Sequence, residues 1–133
     1  MDEEYLKTAL PGEPGAEMDL LMARHMGARA IESGGLPWLL EGNRAYAVPP
    51  YSTDHNAFFG RVVGYLRDHK IRIAIHDGGD HFVIACKHPR HGTLAEEKQE
   101  SLPHAGCLAA ISALRALDRA AIKQIGPRDE PAS

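Results

Sequence analysis

Two histidine-rich stretches hold the residue types best suited to chemistry in this chain. The first, HDGGDH, covers residues 76–81 and places two histidines outside two aspartates and two central glycines. Imidazole nitrogens and carboxylates serve as metal ligands and as general acids or bases. The second, KHPRHG, covers residues 87–92 and combines two basic side chains with two histidines. Its cations suit a phosphate group, and its histidines add donors that depend on pH.

The geometry of a β-hairpin decides whether the histidines of HDGGDH converge. Residues 71–86 alternate between apolar and small or polar types around Gly78-Gly79, which predicts two antiparallel strands and a two-residue turn. In that register His76 faces His81 on one face, and Asp77 faces Asp80 on the other. Two histidines make an incomplete metal site, because zinc takes three or four protein ligands. We expect a turn in which His76 and His81 contact solvent or a ligand, and no metal.

The KHPRHG stretch is a cationic cluster in an acidic chain. We interpret it either as a solvated basic loop or as the contact for a small anion, made by four side chains: Lys87, His88, Arg90 and His91. No phosphate-binding P-loop, dinucleotide-binding glycine signature or zinc-protease motif occurs in the sequence. We therefore predict no catalytic residue and no cofactor.

Two aromatic residues complete the ligand-binding candidates, Trp38 and Tyr51. Trp38 is the only tryptophan and is interpreted as an anchor in the core or a subunit interface, with a base-stacking platform as the alternative. Tyr51 follows two prolines, and one of the next three residues, Ser52, Thr53 or Asp54, is expected to cap a helix. The serine is thus interpreted as a cap and not as a nucleophile.

The elements that must position these residues follow from periodicity. A helix is predicted over residues 16–32, and the turn EGN separates two short strands within residues 36–48. A second helix ends near residue 69 and leads into the hairpin. Residues 93–100 fit a strand or a short helix, with the strand favoured, and a last helix runs from residue 101 to 117 or 126. This order predicts an α+β fold, a small antiparallel sheet packed with about three helices in an α/β/α-type sandwich.

Composition bounds the organisation and the function classes. The chain has 133 residues, of which 44% are hydrophobic and 25% charged, typical of one globular domain. We expect a domain over residues 16–126, a flexible arm over 1–15 and a tail over 127–133. A net charge of −3 argues against general nucleic-acid binding, and no apolar run has the roughly 20 residues of a membrane span. The acidic start lacks a signal-peptide layout, so we expect a cytoplasmic protein in which Cys86 and Cys107 are buried free thiols.

Residues 17–118 resemble the phage ABA sandwich domain. The similarity rests on a tryptophan-containing segment leading into PPYSTD, an amphipathic helix leading into a hairpin, and the closing stretch SLPHAGCLAAISALRALD. The resemblance implies a phage or prophage protein, acting in the cytoplasm of a bacterial host, with helices packed on a small sheet. The family is described as of unknown function, so no site residues carry over. HDGGDH and KHPRHG depart from the usual pattern.

These observations favour a phage-encoded, non-catalytic homo-oligomer that sequesters a small, nucleotide-derived anion, as counter-defence proteins do. Two alternatives stay open. One is a protein–protein inhibitor or structural phage protein that contacts a host protein through the methionine-rich first helix and Trp38. The other is a metal-assisted hydrolase that uses the histidines of both stretches.

Overall fold

Three helices are separated by two groups of three antiparallel strands in the computed structural model. The structure describes the backbone of residues 9–129 and the side chains of residues 9–121. The first half contains α1 (Ala16–His25), β1 (Arg29–Ser33), β2 (Leu36–Glu41), β3 (Arg44–Ala47) and α2 (residues 55–68). The second half contains β4 (Arg72–Asp77), β5 (Phe82–His88), β6 (Gly92–Gln99) and α3 (Leu102–Asp129). The strands form two three-stranded sheets, ordered β1-β2-β3 and β4-β5-β6. The predicted α+β class is confirmed, with the strands divided between two sheets.

The first helix is shorter than predicted, because Gly27 ends it. Gly27 has a φ of 85°, and its N–H bonds to the carbonyl of Arg24, while the N–H of Ala28 bonds to that of Ala23. These two bonds form a Schellman motif, which reverses the chain at a left-handed residue. The prediction of helix up to residue 32 is wrong, because residues 29–33 pair with β2 as a strand.

The first sheet has one face on the core and one face open to solvent. The predicted β2–β3 hairpin is confirmed, and Gly42 supplies the positive φ of its turn. Leu39 points inward and is 1% exposed. Because side chains alternate along a strand, the register places Ile31, Leu36 and Trp38 together on the opposite face, where Ile31 and Leu36 are 45% and 59% exposed.

The second helix contains a π-helical stretch. Asp54 caps its start by accepting the N–H of Asn56 at 2.9 Å. α-Helical residues His55–Ala57 lead into a π-helix, Phe58–Val62, and the α-helix resumes over Val63–Asp68. A π turn holds more residues than an α turn, so three side chains spaced by four are all buried: Phe58, Val62 and Leu66. Phe59, which follows Phe58 in the sequence, is 42% exposed.

The second sheet carries the predicted hairpin in a different register. Ile75 is paired with Ile84 and Asp77 with Phe82, two residues away from the expected pairing. A shift of two keeps every side chain on its face, so the predicted apolar and polar faces are retained. β6 is a strand, as favoured by the sequence.

The last helix closes the core. α3 packs across β5 and β6 and contacts α1, and it extends to Asp129, so the first residues of the predicted tail are helical. Residues 9–15 of the predicted arm form no helix or strand, and residues 1–8 and 130–133 lie outside the described residues. None of the described helices combines the length and the apolar character that a bilayer crossing requires.

The core explains the methionines and the cysteines. Met18 and Met22 are both 0% exposed, so the methionines of α1 fill the core and do not form a partner surface. Cys86 and Cys107 are buried free thiols, as predicted. Burial raises the pKa of Cys86 to about 12 and also raises that of Cys107, which keeps both thiols protonated and unreactive at neutral pH.

Candidate functional site

The HDGGDH stretch contains the end of β4 and a four-residue loop. Residues 78–81 connect Asp77 to its partner Phe82, and the N–H of Gly78 donates to the carbonyl of His81 at 2.9 Å. The Asp77 side chain accepts the N–H of Gly79 at 2.9 Å, the local bond by which aspartate shapes a turn. This bond and the φ of 95° at Gly79 shape a four-residue turn, where two residues were expected.

The two histidines of the HDGGDH stretch do not converge. His76 lies opposite Val83 on the solvent face of the sheet. The His81 ring packs against Gly78, where a Cβ atom would collide with it, and its Nδ1 lies 2.7 Å from Oδ1 of Asp80. That hydrogen bond to His81 lowers the pKa of Asp80. The predicted pairings of His76 with His81 and of Asp77 with Asp80 are therefore wrong.

His81 instead lines a cavity of about 520 Å³ together with His104, Glu13, Lys98 and Ser101. His104 is 7% exposed, and its Nε2 has no hydrogen-bond partner among the residues that the structure describes. Within the described part of the chain, no three or more histidine, cysteine, aspartate or glutamate side chains are grouped to hold a metal ion.

The KHPRHG stretch forms the tight turn between β5 and β6. His88 is paired with Gly92, so the loop has three residues, and Gly92 has a φ of 73°. This is the three-residue hairpin in which a left-handed glycine follows the turn. The backbone N–H of Arg90 donates to Nδ1 of His88 at 3.0 Å, and the rings of His88 and His91 lie 4.8 Å apart. The turn is thus held in one shape with its basic side chains clustered.

The fold brings three more cations to this turn. Lys70, at the end of α2, lines a cleft of about 660 Å³ with His88, Pro89, Arg90 and His91. Arg67 and Arg72 line an adjoining cleft of about 330 Å³. The other described residues of this cleft are Lys70, Ile71, Lys87, His88 and Pro89. Five lysines and arginines and two histidines line the two clefts, with no aspartate or glutamate among the described lining residues. We call these seven side chains the cationic end: Arg67, Lys70, Arg72, Lys87, His88, Arg90 and His91.

Electrostatic repulsion is built into the cationic end. Arg72 lies directly opposite Lys87 across β4 and β5, and like charges in facing positions destabilise a sheet. Desolvation lowers the pKa of His88, and the charges of His91, Arg90 and Lys70 lower it further. Local stability does not account for this arrangement, because each of these charges opposes its neighbours.

The other predicted candidates lie away from the cationic end. β5 has seven residues, which spans roughly 20 Å at the rise of a strand and separates His81 from His91. Trp38 lies on the open face of the first sheet, where its indole N–H donates to the carbonyl of Ser33 at 3.2 Å. Tyr51 is 4% exposed and lines a third cavity, between α1, the first sheet and α2. The candidates are therefore divided among five places: the cationic end, the solvent face at His76, the cavity at His81, the open face at Trp38 and the cavity at Tyr51.

Ser52 has a structural role other than the expected cap. It is 0% exposed, and its hydroxyl donates to Oδ1 of Asp19 at 2.6 Å while its N–H donates to the same oxygen at 2.8 Å. Its hydroxyl also accepts the N–H of Gly15 at 2.9 Å. Desolvation raises the pKa of Asp19, which the bonds from Ser52 partly offset. This network joins the start of α1 to the turn before α2.

Sequence reasoning did not identify Arg67, Lys70 and Arg72 as part of the site. The segment RDHKIR, residues 67–72, was the available signal. The expected register placed Arg72 opposite Ala85, whereas the observed one places it opposite Lys87. The two-residue error in the turn therefore moved Arg72 away from its observed partner, Lys87.

No family model, curated protein or solved structure matches this chain. The resemblance to the phage ABA sandwich domain therefore stays a prediction.

Proposed function

We propose that this protein is a non-catalytic binding protein that holds a small, phosphorylated, nucleotide-derived ligand at its cationic end. The observation that carries the proposal is the set of basic side chains around Lys70, His88 and Arg90, assembled at a cost in local stability. Features that disfavour the folded state persist at positions used for binding. A multiply charged anion would relieve the repulsion among these side chains.

The chemistry of the lining residues supports a phosphate. Arginine guanidinium groups bind phosphate oxygens in pairs, and lysine adds a point charge. Nδ1 of His88 already accepts a backbone N–H, so the neutral ring offers Nε2–H to a ligand. The described lining residues include no hydroxyl, thiol or carboxylate. This set supports binding over covalent chemistry.

The resemblance noted in the sequence supports a biological setting. In that setting the protein is phage-encoded, acts in the host cytoplasm and sequesters a nucleotide signal of the host's defence. The net charge of −3 supports a small ligand over nucleic acid, because a chain with a net negative charge repels a polyanion outside its basic sites.

Calorimetry with a panel of linear and cyclic nucleotide second messengers tests the proposal. We expect at least one of them to bind, with an affinity that falls as salt screens the site. Arg90→Ala removes a charge-assisted hydrogen bond of about 1.5 kcal/mol, so it should weaken binding about tenfold. Arg24→Ala is the matched control, because Arg24 is exposed on α1 and lines neither cleft.

The proposal fails if no nucleotide of the panel binds, or if Arg24→Ala weakens binding as much as Arg90→Ala. Native mass spectrometry of the purified protein, in the same experiment, detects any nucleotide that co-purifies.

The open face of the first sheet supports a second role, contact between copies of this chain. Ile31, Leu36 and Trp38 lie there, and Arg29 is the only charged side chain that the register places on that face. Two such faces related by a two-fold axis bring apolar surface together, with Arg29 at the edge of each. The native mass distinguishes an oligomer from a monomer, and a monomer at micromolar concentration would contradict this role.

A further inference from the structure

A cavity of about 390 Å³ lies between the end of α1, the first sheet and α2. Its lining includes Tyr46 from β3, Tyr51 from the turn before α2, and Tyr65 from α2. The chain has four tyrosines, so three of the four meet here although 19 residues separate the first from the last. We call this the tyrosine cavity.

Tyr51 presents an unused hydroxyl group to the tyrosine cavity. Its side chain is 4% exposed, and the hydroxyl makes no hydrogen bond with any described residue. Of the described side-chain atoms that are sealed from solvent, only Nε2 of His104 lacks a partner. The unpartnered Tyr51 hydroxyl therefore has some access to solvent, and because Tyr51 lines the cavity, we take the hydroxyl to face it. A buried hydroxyl without a partner does not stabilise a fold, so its presence points to a ligand.

The charges at the cavity favour an anionic group. Among the described residues that line it, Arg29 and Arg61 are basic and one residue, Glu41, is acidic. Arg61 is close enough to Tyr51 to act on the pKa of that hydroxyl, which burial raises first, Tyr46 raises further and Arg61 lowers. A carboxylate beside Tyr51 would accept a hydrogen bond from the hydroxyl and form an ion pair with Arg61.

The walls of the cavity favour an aromatic ring. Ala23, Ala28, Met26 and Leu39 supply apolar surface, and tyrosine faces stack against aromatic rings in offset or edge-on arrangements. A volume of about 390 Å³ is at the lower end of ligand-binding pockets, which start at about 300 Å³. This size suits one ring system with a short acidic substituent.

We propose that the tyrosine cavity binds a small aromatic acid, with the ring between the tyrosines and the acid group on the Tyr51 hydroxyl and Arg61. This site is separate from the cationic end and does not depend on the function proposed there.

Calorimetry with benzoate tests the proposal, with cyclohexanecarboxylate as a ligand of the same charge that lacks the aromatic ring. Benzoate should bind more tightly than cyclohexanecarboxylate. Tyr51→Phe keeps the ring and removes the hydroxyl, so it should leave the thermal midpoint of unfolding unchanged and weaken benzoate binding about tenfold, the loss of one hydrogen bond to a charged group.

Lys70→Ala is the matched control, because Lys70 lies in the cationic end and does not line the tyrosine cavity. It should weaken nucleotide binding and leave benzoate binding unchanged. The two measurements therefore test the proposal for each site separately. The proposal is overturned if benzoate does not bind, if cyclohexanecarboxylate binds equally well, or if Tyr51→Phe binds benzoate as tightly as the original protein.

Discussion

Lys70 occupies a backbone conformation that elsewhere in this chain is given to glycine. Its φ is 64°, and it is the only described residue other than glycine with a positive φ. The N–H of Lys70 bonds to the carbonyl of Arg67, and that of Ile71 to the carbonyl of Leu66. The same pair of bonds ends α1, where Gly27 holds the left-handed position. A lysine in this motif carries steric strain that glycine avoids, which favours a role for its ammonium group.

Lys70→Gly separates that role from stability. The left-handed conformation costs a side-chain-bearing residue about 1–2 kcal/mol, and the greater freedom of unfolded glycine offsets about half of this. We expect the free energy of unfolding in urea to rise by about 0.5–1 kcal/mol, while nucleotide affinity falls several-fold. Lys70→Ala removes the same charge but retains the strain, so it should lose affinity to the same extent and be less stable than Lys70→Gly. Equal stability of the two variants would contradict the strain argument.

At the scale of elements, the alternation of residue types identified both faces of the β4–β5 hairpin but not its register. Pairings that differ by two residues place the same side chains on the same faces, so the pattern does not distinguish them. The turn makes the choice, through the bond from Gly79 to the Asp77 side chain and that from Gly78 to the His81 carbonyl. The symmetry of HDGGDH suggested a tighter turn than these bonds allow.

Packing between α2 and α3 depends on a glycine whose role the sequence does not reveal. Phe58 begins the π-helical stretch of α2 and is 0% exposed. A Cβ atom at Gly106 of α3 would collide with the Phe58 ring. The close approach of the two helices therefore requires glycine at this position, despite its poor helix propensity.

Gly106→Ala should destabilise the protein although alanine favours helix. Alanine adds about 1 kcal/mol of helix propensity, but overpacking a core costs typically about 1–3 kcal/mol, so we expect a net loss of about 1 kcal/mol in urea unfolding. Gly64→Ala in α2 is the matched control, because a Cβ atom there meets nothing within 4 Å. It should stabilise by about 0.5–1 kcal/mol. If both substitutions stabilise the protein, the predicted collision does not exist.

At the scale of the whole molecule, two buried histidines link folding to pH. Nδ1 of His25 lies 2.9 Å from the carbonyl of Leu21, and its Nε2 accepts a hydrogen bond from Nε of Arg115 at 3.1 Å, which requires a neutral ring. Desolvation lowers the pKa of His25, and Arg115 lowers it further. Desolvation also lowers the pKa of His104. Both rings therefore bind protons less readily in the folded state than in the unfolded chain.

Stability should decrease as the solution becomes acidic. Below the ordinary histidine pKa of 6.5 the unfolded chain binds more protons than the folded protein. The free energy of unfolding therefore decreases as the pH is lowered, until the pH is below the pKa of each histidine in the folded state. Urea unfolding at pH 7.5 and pH 5.5 measures the difference. His104→Gln should reduce it, whereas His55→Gln, at an exposed position, should not. A protein that is equally stable at both pH values would contradict this prediction.

Sequence alone determined what depends on local chemistry and alternation. The α+β class, the β2–β3 hairpin, the buried methionines and thiols, and the basic character of KHPRHG all follow from the order of residue types, because periodicity and turn residues act over a few positions. Tertiary structure alone decided which distant segments meet. It placed Lys70 and Arg72 beside His88, separated His76 from His81, and gathered three tyrosines around one cavity. These contacts depend on strand register and helix packing, and sequences with the same local pattern can differ in both.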